Sequence, residues 1–235
     1  MAFNVAIHKN IMIKILKDIY SDATIGPILA CKGGTAAYLF YGLTRFSVDL
    51  DFDLLDAEKE DYVFERVKNI LEKYGVLKEV NKKRFNLFYV LSYSEKIKGG
   101  QNIKLEINRR DFNSKYEVRA YLGIPMKVMI REDMAAHKIV AMFERFGTTN
   151  RDIFDVWFFL QNDWPVNKDI AEKRTGMLFR ELLEKCINLL EKMDNSNILS
   201  GTGELLTESQ KDWVRAKLRT ETIFLLKLKL ENEPR

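Results

Sequence analysis

Between Asn4 and Tyr20 the chain places Ile7, Ile11, Ile15 and Ile19 four residues apart, with Leu16 alongside. That spacing predicts an amphipathic helix. Ile25 to Cys31 is a short apolar run bounded by Asp22 and by Gly33-Gly34, which predicts a buried strand, and Thr35 to Tyr41 then reads as helix. After Gly42, residues Ser47 to Leu54 alternate strictly, with Asp49, Asp51 and Asp53 on one side and Val48, Leu50, Phe52 and Leu54 on the other. A period of two predicts a strand. Ala57 to Tyr74, carrying Tyr62, Val63, Val67, Ile70 and Leu71, predicts a charged amphipathic helix ended by Gly75.

Two antiparallel strands are expected next, at Arg84 to Ser92 and at Asn102 to Asn108, around a turn at Gly99-Gly100. In the second, Ile103, Leu105 and Ile107 face one way and Lys104, Glu106 and Asn108 the other. Tyr116 to Met129, interrupted by Gly123 and Pro125, predicts short edge pieces. From Arg131 onward the periodicity is helical: Glu132 to Phe146, Arg151 to Gln161, Lys168 to Met193 and Thr207 to Leu230. The expected fold class is α+β: a small mixed sheet with flanking helices over residues 1–128, followed by a helical domain over residues 129–235.

Composition narrows the function classes more than it names one. With 38 Lys and Arg against 34 Asp and Glu, the net charge of +4 is a mild bias and not a basic footprint. Two cysteines cannot build a disulfide framework and point to a reducing compartment, so a cytoplasmic location is expected. Two histidines disfavour a His-rich zinc site. The opening MAFNVAIHKNIMIKIL lacks the pattern of a signal peptide, and no apolar run is long enough to cross a bilayer, so no membrane partner is expected.

The chemistry concentrates in Lys32-Gly33-Gly34-Thr35 and Asp49-Leu50-Asp51. A glycine pair between strand and helix lets backbone N–H groups approach an anion at a helix N-terminus, although such a turn is also a common way to reverse a chain. Alternating Asp residues are often a strand's solvated face. Three carboxylates along one face repel one another, however, and a cation relieves that cost. Hard oxygen donors suit Mg²⁺, or Mn²⁺, which completes its shell with water and substrate phosphate. A phosphate turn beside a metal strand is the equipment of phosphoryl or nucleotidyl transfer.

The segment KGGTAAYLFYGLTRFSVDLDFD resembles the first motif of the DNA polymerase β-like nucleotidyltransferases. More narrowly it is similar to the AbiEii/AbiGii toxin family, with Arg45, Ser47, Asp49 and Asp51 at the places of that family's "R-x-S-x-D-[IL]-D" strand. Downstream, Lys138 in AHKIVAMFER followed by Arg151-Asp152-Ile153-Phe154-Asp155 is similar to the family's second block, so the resemblance spans roughly residues 30–160. It implies that Gly33, Gly34 and Thr35 hold the triphosphate, with Arg45 and Ser47 beside them, and that Asp49 and Asp51 bind Mg²⁺. It further implies that Lys138 contacts nucleotide phosphates and that Asp152 completes the active site. The plain alternative for Arg151, Asp152 and Asp155 is helix-start capping and a surface ion pair.

Glu106, the acidic residue central to its strand, is either a third catalytic carboxylate or part of a solvated face. Asp53 reads as a spare carboxylate, Cys31 as a small core residue, and His137 as a helical surface histidine. Trp157, Phe158 and Phe159 read as helix packing, and Lys211, Arg215, Lys217, Arg219, Lys227 and Lys229, offset by only Asp212 and Glu221, as a basic face that is either solvated or an RNA-contacting surface. The expectation is a Mg²⁺-dependent nucleotidyltransferase moving a nucleoside monophosphate from an NTP to an acceptor hydroxyl. By resemblance it is the toxin of a toxin–antitoxin or abortive-infection system, with tRNA as acceptor and a cognate antitoxin as protein partner. The alternatives are a protein-AMPylating enzyme and an inert NTP-binding module.

Overall fold

The computed structural model describes residues 4–93 and 101–233. The expected turn at Gly99-Gly100 lies outside them. The chain divides into two compact units, Met1–Asp111 with Lys115–Met129, and Phe112–Ser114 with Ile130–Arg235.

The first unit runs α1 (Val5–Ser21), β1 (Leu29–Lys32), α2 (Gly33–Phe40), β2 (Leu50–Leu54), α3 (Glu60–Glu72), β3 (Val76–Lys82), β4 (Asn86–Ser92), β5 (Asn102–Asn108), β6 (Tyr116–Tyr121) and β7 (Ile124–Met129). The seven strands form one mixed sheet in the order β3-β4-β5-β2-β1-β7-β6. Strand β2 runs antiparallel to β1 and parallel to β5, and β1 runs parallel to β7. Asn4 caps α1 by accepting from the Ile7 N–H at 3.1 Å. The buried stripe of α1 is His8, Met12, Ile15, Leu16 and Ile19, while Ile7 is exposed. The isoleucine spacing thus located the helix and misplaced its face at the N-terminal end, where His8 takes the inward position because its ring nitrogens find Tyr93 Oη at 2.7 Å and the Val48 carbonyl at 2.9 Å.

The register fixes two faces. Cys31, Phe52, Ile107 and Leu87 align across four strands, next to the line Leu50, Leu105 and Tyr89, all buried. Helices α1 and α3 cover this face: the Tyr20 ring meets Phe52, and Tyr89 Oη donates to the Phe64 carbonyl at 3.0 Å. On the opposite face Lys32, Asp51, Glu106 and Phe88 align, with the line Asp53, Asn108 and Asn86 beside it.

Several elements depart from the sequence pattern for identifiable reasons. The first strand begins at Leu29 because Gly26–Ile28 form a 3₁₀ turn containing Pro27, whose ring fixes φ and removes a donor. Strand β2 starts at Leu50, since Ser47 and the Asp49 carbonyl are drawn to the Thr35 hydroxyl instead of to a neighbouring strand. Strand β3, which alternation did not reveal, is a polar and largely exposed sheet edge. Residues 116–129 form a complete hairpin whose second strand lies inside the sheet.

The second unit comprises α4 (Arg131–Glu144), α5 (Arg151–Gln161), α6 (Lys168–Thr175), α7 (Phe179–Lys192), α8 (Glu208–Trp213), a π-helical turn at Val214–Leu218 and α9 (Arg219–Glu231). The single helix expected over 168–193 is broken at Gly176, which adopts the left-handed conformation that ends α6. The helix expected over 207–230 likewise carries a π-helical interruption. Helices α5 and α7 both pack on α9, which buries Thr222 and Leu226.

Candidate active site

Strand β1 delivers Lys32 directly into Gly33, whose φ of +71° lies in the left-handed region. A Cβ on Gly33 would sit 2.5 Å from Oδ2 of Asp51, and a Cβ on Gly34 would sit 2.8 Å from Ser47 Oγ and 2.9 Å from Arg45 Nη2. Both glycines are therefore required by close approach, and the glycine turn and the acidic strand are one physical unit. Thr35, Ser47 and Arg45 are buried beneath this turn. The Thr35 hydroxyl bonds Ser47 Oγ at 3.0 Å and the Asp49 carbonyl, and Arg45 donates to the Phe46 carbonyl at 2.9 Å.

The acidic residues of this face divide into two kinds. Asp53 is buried and accepts from Lys32 Nζ at 2.5 Å, Asn108 Nδ2 at 2.7 Å and Tyr116 Oη at 2.9 Å. It is a structural hub and not the spare carboxylate of the sequence reading. Asp51 keeps its carboxyl above the ordinary carboxylate range, first because burial strips its hydration and next because the Asp49 charge is close. Register sets Glu106 directly beside Asp51, and Asn86 donates to Glu106 Oε2 at 3.3 Å.

Lys104 is the residue the sequence reading passed over. Its Nζ lies 3.6 Å from Asp49 Oδ2 and 3.4 Å from Glu106 Oε1, a cation set among the carboxylates. The signal was the K-x-E spacing, since residues two apart on a strand share a face.

Among the described residues, no group of three or more His, Cys, Asp or Glu side chains forms a metal cage. The donor set nevertheless fits Mg²⁺, which takes one or two protein carboxylates and leaves its other positions to water and phosphate. Asp49 and Asp51 supply hard oxygens, and the proton affinity of Asp51, raised chiefly by burial and further by the Asp49 charge, marks a carboxylate whose ionised form a divalent cation would favour.

A second charged cluster lies within the helical unit. Lys138 Nζ is held at 2.9 Å from both Asp152 Oδ1 and Asp155 Oδ2, and Arg145 Nη2 is 2.8 Å from Asp152 Oδ2. Asp152 and Asp155 are completely buried, which overturns the reading of them as surface charges. His137 is also no free surface histidine, since Ser114 Oγ and Arg174 Nη1 sit at 2.8 and 2.9 Å from its two ring nitrogens. The Trp157 ring packs against Trp213 with centroids 4.2 Å apart and planes tilted by 46°, and its Nε1 donates to Glu221 at 3.1 Å. Half of the basic face expected on the last helices is ion-paired, Lys211, Arg215 and Lys227 with Glu208, Asp212 and Glu191.

Comparison with known proteins meets this geometry from outside. The chain resembles JHP933 from Helicobacter pylori at 24% identity and a TM-score of 0.61, covering 98% of this chain and 95% of that one. It also resembles MenT4, the nucleotidyltransferase toxin Rv2826c of Mycobacterium tuberculosis H37Rv, at 17% identity and a TM-score of 0.56, covering 94% and 83%. These likenesses show the fold. No curated protein matches the chain. The family model described as nucleotidyl transferase AbiEii toxin, type IV toxin–antitoxin system, matches residues 14–222, a span that takes in the glycine turn, the acidic strand and the buried Lys138 cluster. By that match the chain belongs to the AbiEii toxin family and is a nucleotidyltransferase.

Proposed function

We propose that the protein transfers a nucleoside monophosphate from an NTP to an acceptor hydroxyl with release of pyrophosphate, with tRNA as the acceptor, and that a cognate antitoxin protein restrains it. The observation that carries the reading is the fit of Gly33 against Asp51, which joins the glycine turn to a carboxylate strand with no room for a side chain between them.

In this proposal the backbone N–H groups at Gly33 and Gly34 receive the triphosphate at the start of α2. Thr35, Ser47 and Arg45, buried beneath, hold the turn in shape. Asp49 and Asp51 would hold Mg²⁺ or Mn²⁺, which would neutralise phosphate charge there. Glu106, beside Asp51 on the neighbouring strand, accepts the proton of the attacking hydroxyl. Lys104, 3.6 Å from Asp49 and 3.4 Å from Glu106, sets a positive charge among the carboxylates. Lys138 and Asp152 enter the proposal through the family signature. Cys31 and Cys186 are both unpaired and buried, which suits the reducing cytoplasm. Among the described residues no helix is long and apolar enough to cross a membrane.

The test is incubation with each labelled NTP, Mg²⁺, and separate pools of total tRNA and total protein. Label in tRNA that disappears with Asp49→Ala and Asp51→Ala supports the reading. Label only in protein redirects the acceptor to protein hydroxyls, and wild-type transfer by Asp51→Ala removes the carboxylate assignment.

A further inference from the structure

At the β3–β4 turn the chain reads Lys82-Lys83-Arg84-Phe85, and the residues following β5 are Arg109-Arg110. The Arg109 N–H donates to the Phe85 carbonyl at 2.9 Å, so the two segments form one surface within the sheet unit. On that surface Phe85 is 42% exposed, an aromatic ring set in a turn of cations. The Arg84 guanidinium lies 4.9 Å from its centroid and the Arg110 guanidinium 4.8 Å. Lys83 lies over the Phe88 ring, and Phe88 aligns with Glu106 and Asp51. The basic turn therefore borders the sheet face that carries the acidic residues.

Structural duties account for part of this charge. Lys82 pairs with Asp61, Lys83 with Glu79 and Arg109 with Glu60. They do not account for Arg84, which has no ion-pair partner among the described residues, nor for an exposed aromatic ring beside two guanidiniums.

We propose that Phe85, flanked by Arg84 and Arg110, is a stacking platform for an unpaired base of a single-stranded RNA segment whose hydroxyl end reaches the acidic face. Every base has a π-face that stacks on an aromatic ring, and guanidiniums beside it add cation–π attraction and meet the phosphates. Phe88, three residues along β4, stands in register with Glu106, so the platform lies about 10 Å along the strand from the acidic line, at roughly 3.3 Å per residue. This inference rests on the RNA-acceptor reading above.

The experiment measures binding of a fluorescein-labelled single-stranded RNA ending in a free 3′-hydroxyl, by anisotropy over a salt series, alongside NTP binding and thermal melting. The exposed position predicts that Phe85→Ala melts like the wild type and binds NTP unchanged. Its RNA affinity should fall about fivefold to a hundredfold, from the usual worth of one stacked base. Phe85→Tyr should restore it, and Phe85→Leu, apolar without a π-face, should not. Arg84→Ala should lower the slope of log affinity against log salt by about 0.7, the share of one phosphate contact on a single strand. If the wild type binds RNA and Phe85→Ala or Phe85→Leu binds equally well, the platform is refuted and the RNA-acceptor reading stands. If the wild type neither binds nor labels RNA, that reading falls and the platform with it. If Phe85→Ala loses only the labelling of protein acceptors, the surface is a peptide dock and the proposal is overturned.

Discussion

Replacing Gly33 by alanine separates two costs that are usually confounded. The first is conformational: at φ +71° a residue bearing a Cβ pays about 1–2 kcal/mol for the left-handed backbone. The second is contact: the new methyl would stand 2.5 Å from Asp51 Oδ2, and reaching an ordinary separation of 3.4 Å requires that carboxylate to retreat by about 0.9 Å. A displacement of that size at a reacting group costs roughly 100-fold in rate. Gly42 supplies the control, since its φ is +74° and a Cβ there meets nothing within 4 Å. Both variants should lose about 1–2 kcal/mol in urea unfolding from backbone strain alone. Only Gly33→Ala should lose about 100-fold in kcat for nucleotide transfer, with weakened Mn²⁺ binding. Equal activities for the two variants at matched folded fractions would show that the contact between the turn and Asp51 has no part in catalysis.

The two inner acidic residues of β2 should respond oppositely to neutralisation. Asp51→Asn removes a desolvated charge beside Asp49 and should raise the melting temperature while abolishing transfer, whereas Asp53→Asn deprives Lys32 of its partner and should cost about 1–3 kcal/mol. Scanning calorimetry of both checks the pair, and melting shifts of the same sign would contradict it. Lys138→Met leaves Asp155 buried without its cation and should destabilise the fold by about 3–5 kcal/mol in urea, with partial recovery in Lys138→Met/Asp155→Leu. A loss under about 1 kcal/mol would mean that the cluster is not the ion set described. His8 is held below its ordinary value of 6.5, chiefly by burial, and is neutral in the fold. Its stabilising contribution is present above the unfolded value and is lost as pH falls through the folded one, so the urea midpoint should drop more steeply below pH 6.5 in the wild type than in His8→Gln. Parallel profiles would exclude His8 as the cause.

What was legible in the sequence was mainly local. Helices α1 and α3 follow from apolar spacing, because their buried stripes repeat with the helical period, whereas α5 is buried nearly all round. Strand β5 follows from alternation, and the pairing of the glycine step with the Asp strand follows from motif spacing because turn and strand are joined by few residues. The edge strand β3 was invisible, since an exposed edge buries too little to impose an apolar period.

Tertiary structure decided what each charged residue does. Asp51 and Asp53 sit two apart on one strand and look equivalent in sequence. Cross-strand register gives Asp53 a lysine, an asparagine amide and a tyrosine hydroxyl, and sets Asp51 beside Glu106. The same register raised Lys104 from an alternating surface position to the cation among the carboxylates. Burial turned Asp152 and Asp155 from capping residues into the partners of an interior lysine. Periodicity is written in neighbouring residues and survives in the sequence alone. The charge environment of a carboxylate depends on groups tens of residues away, and only the folded sheet and helices bring those groups within reach.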